Sequence, residues 1–387
     1  MNFIQHPSYS EQTHDIALIL SKLTIENMNK LMGRLDLQCI SFERLQTSGR
    51  INLIFNLKAL SKNSSYIEFI LKISNPHRYW TENRIKNEVY TMQYLIEHTT
   101  IPIPKIIDYS TDCKSNILSC EYILMEKIYG ETLESVIENI SDQNLVRTAI
   151  EMTDYVKQLR QIKLPQANRI GSFSSKEMFL GGSLEDGPTL GPFITVKYYI
   201  IEHLRWAIKR IQTDEQLFQI GEYLIVSLQK IIDCAQTDSN LSKSEIKLHV
   251  THTDLNSSNI LVDEITGKIL AILDWERCAM TFKNDDIEFV SHWFENNQRE
   301  KCFQLLIQQQ QNYLDLVNDA CNMYKIKLYL DVMYSAMYAT FYSCTWFDCE
   351  QAVTEHIKRF LQETEDAIIV FNKNILDENK LYDDSRC

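Results

Sequence analysis

The side chains best suited to chemistry are Asp254, Asn259 and Asp274. Asp254 and Asn259 lie five residues apart in the polar run Thr251 to Asn259. Leu248 and Val250 form a short apolar alternation ahead of that run. After it, Ile260-Leu261-Val262 and Ile269 to Leu273 bracket a turn, Asp263 to Lys268, that contains Gly267. Two β-rich runs around a short glycine-bearing turn read as a hairpin. The hairpin places Asp254 and Asn259 before its first strand and Asp274 just after its second, at the same end. Two carboxylates and a carboxamide converging on one point suit Mg²⁺, which takes hard oxygen ligands, keeps several waters and is usually shared with substrate phosphates. One carboxylate can then orient an attacking hydroxyl and accept its proton.

Other elements must position that loop. Lys72 lies in Phe69-Ile70-Leu71-Lys72-Ile73, the end of a strand expected over Tyr66 to Ile73. A lysine flanked by apolar residues needs a partner, because a buried unpaired ammonium is costly. The helix expected over Glu82 to His98 carries Val89, Met92, Leu95 and Ile96 on its apolar face, with Glu88 beside that face. Lys72 with Glu88 is the expected ion pair, Glu82 the alternative partner; Lys58 and Lys62 sit near a loop and fit less well. Upstream, a helix is expected over His14 to Leu35. Strands over Ile40 to Gln46 and Ile51 to Leu60 flank Thr47-Ser48-Gly49-Arg50. Downstream, Ile101-Pro102-Ile103-Pro104 leads into a strand, Lys105 to Tyr109. A further strand, Ser119 to Met125, runs into Glu126-Lys127-Ile128-Tyr129-Gly130. The rest is mostly helical, with helices expected over Asp142 to Gln161, Tyr198 to Arg210, Glu215 to Cys234, Arg299 to Asn318 and Asp331 to Asn372. Leu164 to Phe193 holds five of the ten glycines and three of the seven prolines. A long glycine-bearing loop is functional or mobile, and its expected place is near an acceptor-substrate cleft.

The motif His252-Thr253-Asp254, then Asn259, then Asp274-Trp275-Glu276 resembles the catalytic core of the aminoglycoside phosphotransferase and choline kinase family. Protein kinases carry H-R-D, an asparagine five residues after that aspartate, and D-F-G. The resemblance covers roughly Ile40 to Glu288. It implies an α+β, two-lobed, protein-kinase-like fold, with a small N-lobe built on an antiparallel sheet and a larger, mostly helical C-lobe. It implies ATP and Mg²⁺ as cofactors, Asp254 as the catalytic base, and Asn259 and Asp274 as metal ligands. Lys72, oriented by Glu88, would sit on the α- and β-phosphates. Gly49, followed by Asn52, resembles a G-x-x-N phosphate-covering turn. Tyr122 to Leu133 resembles the lobe hinge, where adenine would meet backbone near Glu126 and Ile128 with Met125 lining the pocket. His252 and Asp286 would brace the loop, and Trp275 and Glu276 would face substrate. Departures are Thr253 and Asn256-Ser257-Ser258, where relatives often carry Gly-x-x-x-Pro-Gly.

Three regions are expected: a helical extension over 1–36, an N-lobe over 37–126, and a C-lobe over 127–387 with the catalytic loop at 249–276. At a formal net charge of -13, the chain is a poor candidate for general nucleic-acid or anionic-membrane binding. No apolar run is long enough to span a bilayer, no basic-then-apolar signal opens the chain, and the ten cysteines form no C-x-x-C pair. A cytoplasmic protein with reduced thiols is expected. The expected activity is phosphoryl transfer to a hydroxyl of a small molecule. The rivals are a catalytically silent binding protein and an atypical protein kinase. Acceptor identity and oligomeric state stay open.

Overall fold

The computed structural model describes residues 17–45, 52–74, 84–165, 167–175, 190–242, 246–282, 324–341 and 350–383, with positions 286, 290, 293, 304 and 306. The chain forms two compact units. The first comprises Met1–Ala167, Ser172–Gly181 and His249–Val317; the second comprises Asn168–Gly171, Gly182–Leu248 and Asn318–Cys387. The loop at 249–276, assigned from sequence to a helical region beginning at 127, belongs to the unit that contains the N-terminal sheet.

In the first unit, residues 17–22 are helical and α1 (Ile25–Gly33) follows. A single helix over His14 to Leu35 was expected, and residues 14–16 lie outside the described residues. Thr24 divides it: its backbone is extended, and its side chain accepts the Asn27 N–H and starts α1 as an N-cap. Then come β1 (Leu37–Arg44), β2 (Asn52–Ser61), β3 (Tyr66–Ser74), α2 (Arg84–His98), β4 (Ile106–Ser110) and β5 (Tyr122–Glu126). The five strands form one sheet in the order β1-β2-β3-β5-β4, antiparallel throughout. β5 begins later than Ser119 because Ser119 has φ 53, which a strand cannot hold. Alternation gives the sheet two faces. Leu53, Phe55, Leu57, Phe69, Leu71 and Ile73 pack with Met28, Leu31 and Met32 of α1. Ile123, Met125 and Ile70 pack with Ile85 and Val89 of α2.

After the short β6 (Glu131–Thr132) and α3 (Leu133–Val136), α4 (Asp142–Gln161) starts at the Ser141 cap, as its apolar periodicity predicts. In the second unit, α5 (Val196–Thr213), α6 (Glu215–Gly221) and α7 (Ile225–Thr237) follow. One helix was expected over Glu215 to Cys234. It breaks at Gly221, a poor interior helix residue whose missing Cβ lets Leu361 approach. Residues 249–281 of the first unit contain β7 (His249–Thr251), β8 (Ile260–Val262), β9 (Ile269–Ile272) and β10 (Ala279–Thr281). β8 and β9 form the expected antiparallel hairpin, and β7 pairs with β10. The second unit ends with α8 (Tyr324–Phe341) and α9 (Glu350–Asp383). Tyr338 of α8 packs on Phe360 of α9, and Tyr329 on Phe371, so these aromatics serve the helix contact. Of the helix expected over Arg299 to Asn318, positions 304 and 306 are described, and both are helical. Tyr342 and Trp346 lie outside the described residues. Among the described residues, no helix is long and apolar enough to cross a membrane.

Candidate active site

Strand alternation decides where Lys72 points. Ile70 faces α2, so Lys72, two residues on, faces it too. There its Nζ lies 2.7 Å from Glu88 Oε2, donates to Asp274 Oδ1 at 2.6 Å and approaches Glu276 Oε2 at 3.1 Å. Glu276 has two further partners. Arg84 Nη1 donates to Oε1 at 2.8 Å and Asn52 Nδ2 donates to Oε2 at 2.7 Å. Asn87 adds two bonds to the same turn, from Nδ2 to the carbonyls of Glu276 (2.7 Å) and Cys278 (3.0 Å). Arg84, Asn87 and Glu88 share one face of α2 by their i, i+3, i+4 spacing.

Three carboxylates and two cations thus meet in the protein interior. Only Asp274 keeps appreciable exposure, 31% of its side chain. Burial pushes the Glu88 carboxyl up to about 7, against the pull of Lys72 and with the help of Asp274 and Glu276. Burial also raises Asp274, although Lys72 opposes it. Burial acts on Glu276 in the same sense, but Lys72, Arg84 and Asn52 outweigh it and hold that carboxyl down at about 2. Burial alone would lower Lys72; Asp274, Glu276 and Glu88 reverse this and keep it protonated.

The loop after β7 is pinned by Asp286, whose Oδ2 accepts the His252 N–H (2.9 Å) and Oδ1 the Thr253 N–H (3.2 Å). His252 donates from Nε2 to the Leu273 carbonyl at 2.9 Å, and its Nδ1 accepts the Asp254 N–H at 3.3 Å. These partners set the tautomer. Burial drives the imidazole down to about 4, so it is neutral and serves as a brace. Thr253 and Asp274 both have φ 64, the left-handed region that a β-branched residue rarely enters. Each such position costs about 1–3 kcal/mol and persists where its surroundings over-determine it. Thr253 Oγ1 supplies part of that support by donating to the Arg277 carbonyl at 2.8 Å. Asn259 donates from Nδ2 to the Asp254 carbonyl (2.8 Å), which leaves Oδ1 as its acceptor atom. The Leu273 N–H donates to the Asn259 carbonyl at 2.8 Å, tying the residue before Asp274 to Asn259. A partly exposed carboxylate and a carboxamide oxygen form a donor set that fits Mg²⁺. Glu88, Asp274 and Glu276 offer oxygens within 4.8 Å of one another, but the Lys72 ammonium already contacts all three.

α4 holds the hairpin turn by its main chain. Asn144 donates to the Ile265 carbonyl (2.6 Å), Arg147 to that of Thr266 (2.9 Å) and Thr148 to that of Gly267 (2.6 Å). Glu151 accepts the Ile269 N–H at 2.9 Å. Gly267 has φ +69, and a Cβ there would lie 2.7 Å from the Asn144 carbonyl oxygen.

Gly49 and Glu82 lie outside the described residues. Met125 is buried on the α2 side of the sheet. Glu126 donates its N–H to the Lys105 carbonyl (3.0 Å) and accepts the Lys105 N–H on Oε1 (2.7 Å). Ile128 follows in the irregular stretch before β6. Trp275 and Glu276, expected against substrate, are each 1% exposed and present no surface to a ligand. The large indole packs on His252, with ring centroids 4.5 Å apart, and bonds the Ile272 carbonyl; Glu276 is held by its buried cations. Asn52, read as part of a phosphate-covering turn, instead directs its amide to Glu276. Arg84 and Asn87 escaped the sequence reading, although their spacing to Glu88 marks one helix face.

The fold resembles that of aminoglycoside 2'-phosphotransferase-IIIa in its GDP complex, with a TM-score of 0.51 and 12% identity, covering 92% of this chain and 98% of that one. In sequence, the chain is 23% identical over 288 residues to a subtelomeric hrmA-associated cluster protein of Aspergillus fumigatus, covering 59% of this chain and 56% of that protein. It is 27% identical over 211 residues to clavilactone A biosynthesis cluster protein Y of Ampulloclitocybe clavipes, covering 51% of this chain and 50% of that one. The chain therefore spans about half the length of the curated relatives it matches. Residues 47–283, which include Lys72, Glu88 and the whole loop at 249–276, match the family described as "Phosphotransferase enzyme family". This protein is a member of that phosphotransferase family, with a kinase-like α+β fold.

Proposed function

We propose that the protein transfers the γ-phosphoryl group of ATP to a hydroxyl of a small molecule. The observation that carries this reading is the Lys72 ammonium held 2.7 Å from Glu88 and 2.6 Å from Asp274, in the same unit as the Asp254–Asn259 loop. Phosphoryl transfer asks the protein mainly for positioning and charge neutralisation. Asp254 orients the acceptor hydroxyl and takes its proton. The hydroxyl oxygen bonds the γ-phosphorus while the bond from phosphorus to the bridging oxygen of the departing ADP breaks. Lys72, kept in orientation by Glu88, contacts the α- and β-phosphates. Asn259 and Asp274 are the residues that would hold magnesium, which when bound neutralises phosphate charge. Adenine meets backbone at Glu126 and Ile128, with Met125 lining its pocket, and Gly49 lies in the turn over the phosphates. A chain dependent on ATP fits a cytoplasmic setting.

A small-molecule acceptor is favoured over a protein one. Protein kinases carry a peptide-binding segment between D-F-G and A-P-E. Here Asp286 bonds back to His252 soon after Asp274, and A-P-E occurs nowhere in the chain. A relative named for a biosynthesis cluster agrees with a metabolite acceptor. The test incubates the protein with labelled ATP, a metabolite library and a peptide library. Metabolite labelling is expected, and Asp254→Asn should reduce it about 10²–10⁴-fold, the range for a positioned base. Asp254-dependent labelling of peptides alone would promote the protein-kinase reading. Absence of both turnover and nucleotide binding would favour the silent binding protein.

A further inference from the structure

Asn87 joins α2 to the turn that carries Asp274. It is wholly buried, and its carboxamide makes three bonds. Nδ2 donates to the carbonyls of Glu276 at 2.7 Å and Cys278 at 3.0 Å, while Oδ1 accepts the Phe173 N–H at 2.6 Å. Two carbonyls on one side and an N–H on the other fix the orientation of the amide and use both of its donors. Asparagine is a weak helix former, and a buried amide is tolerated only when bonded, so neither propensity nor apolar packing accounts for it. One turn earlier, Arg84 holds the side chain of the same Glu276 at 2.8 Å. In the next position, Glu88 meets Lys72, which reaches across to Asp274.

We propose that Asn87 is a positioning residue for the phosphotransfer site. By gripping the main chain on either side of Arg277, it sets the spacing between α2 and the Asp274–Cys278 turn. Glu88 and Asp274 then reach Lys72 together from separate elements, and Asp274 keeps its left-handed backbone ready for a cation. Supporting groups around metal ligands act in this way, and removing one typically weakens metal affinity or activity by roughly 10- to 100-fold. The consequence for metal rests on the phosphotransferase reading; the grip itself does not.

The test uses the full chain with Asn87→Ala and Asn87→Ser. AMP-PNP binding is measured by calorimetry across a Mg²⁺ titration, and backbone hydrogen exchange is followed at 275–278. Asn87→Ala is expected to raise the half-saturating Mg²⁺ concentration roughly 10- to 100-fold and to speed exchange across the turn. Asn87→Ser, whose hydroxyl can still donate to one carbonyl, should fall between alanine and wild type, and it carries the test if the alanine variant does not fold. A variant that melts earlier but keeps the wild-type Mg²⁺ half-saturation would show a merely structural residue and overturn the proposal. If wild type itself binds no AMP-PNP with Mg²⁺, the phosphotransferase reading fails. Exchange in Asn87→Ser then decides the grip alone, and wild-type rates at 275–278 would refute it.

Discussion

α2 and α4 each hold the 249–281 segment through side chains on one helix face, and both reach its main chain, α2 through Asn87, but α2 alone adds charged side-chain partners. From α2, Arg84 and Glu88 act through charged side chains, on Glu276 directly and on Asp274 by way of Lys72. From α4, Asn144, Arg147, Thr148 and Glu151 bond only main-chain atoms of the hairpin turn. The α4 grip therefore depends on the shape of the turn, and Gly267 supplies that shape. The α2 grip depends on the identity of its partners. Removing a buried charge strands another, whereas the exposed bonds of Asn144 and Arg147, once lost, are replaced by bonds to water. The site chemistry is thus most vulnerable on the α2 side, and the hairpin geometry on the α4 side.

Breaking the α2 side should have the largest effect. Arg84→Met leaves the buried Glu276 carboxylate with Lys72 as the remaining one of its two described cation partners. Loss of one member of a buried pair typically costs about 3–5 kcal/mol, read as a lower midpoint in denaturant unfolding. Gly267→Ala tests the α4 side in the same assay. Its left-handed backbone and the approach to Asn144 should cost about 1–3 kcal/mol, less than Arg84→Met. Equal losses, or a larger one at Gly267, would dissolve the distinction between the two grips.

An intermediate effect is expected at the brace. His252 is depressed from 6.5 to about 4, so its folded state stays neutral where the unfolded chain takes up a proton. Its contribution is complete above the unfolded value and is lost as pH falls toward 4, a span worth about 3 kcal/mol at roughly 1.4 kcal/mol per unit. Glu88 works the other way. Its folded carboxyl is raised from 4.5 to about 7, so the folded state binds the proton first and stability rises as pH falls through that window. The wild-type curve sums the two, and the difference between wild type and His252→Asn isolates the imidazole. That difference should shrink from pH 7 to pH 4; a constant difference would remove His252 as a pH-sensitive brace.

Much of this was legible in the sequence, for physical reasons. The hairpin and the H-x-D-x-x-x-x-N spacing are local, so they could be read without tertiary information. Lys72 could be paired with Glu88 because an apolar strand leaves a lysine few alternatives. Its contacts with Asp274 and Glu276 join residues about two hundred positions apart, which no periodicity reports. Trp275 and Glu276 were turned the wrong way because adjacency to Asp274 says nothing of direction. The left-handed backbone at Asp274 sets that direction, and no glycine announces it. Thr24 and Gly221 broke expected helices through a cap and a close approach, local signals that the apolar periodicity had outweighed.

A Mg²⁺ titration of AMP-PNP binding tests most directly the metal-assisted nucleotide site proposed at Asp274 and Asn259. Wild type should bind the nucleotide more tightly as Mg²⁺ is added. Asp274→Asn should lose most of that gain and Asn259→Ala a smaller part, since a carboxylate supplies full charge and a carboxamide only a dipole. Nucleotide binding indifferent to Mg²⁺ in wild type, or unchanged by Asp274→Asn, would contradict the account.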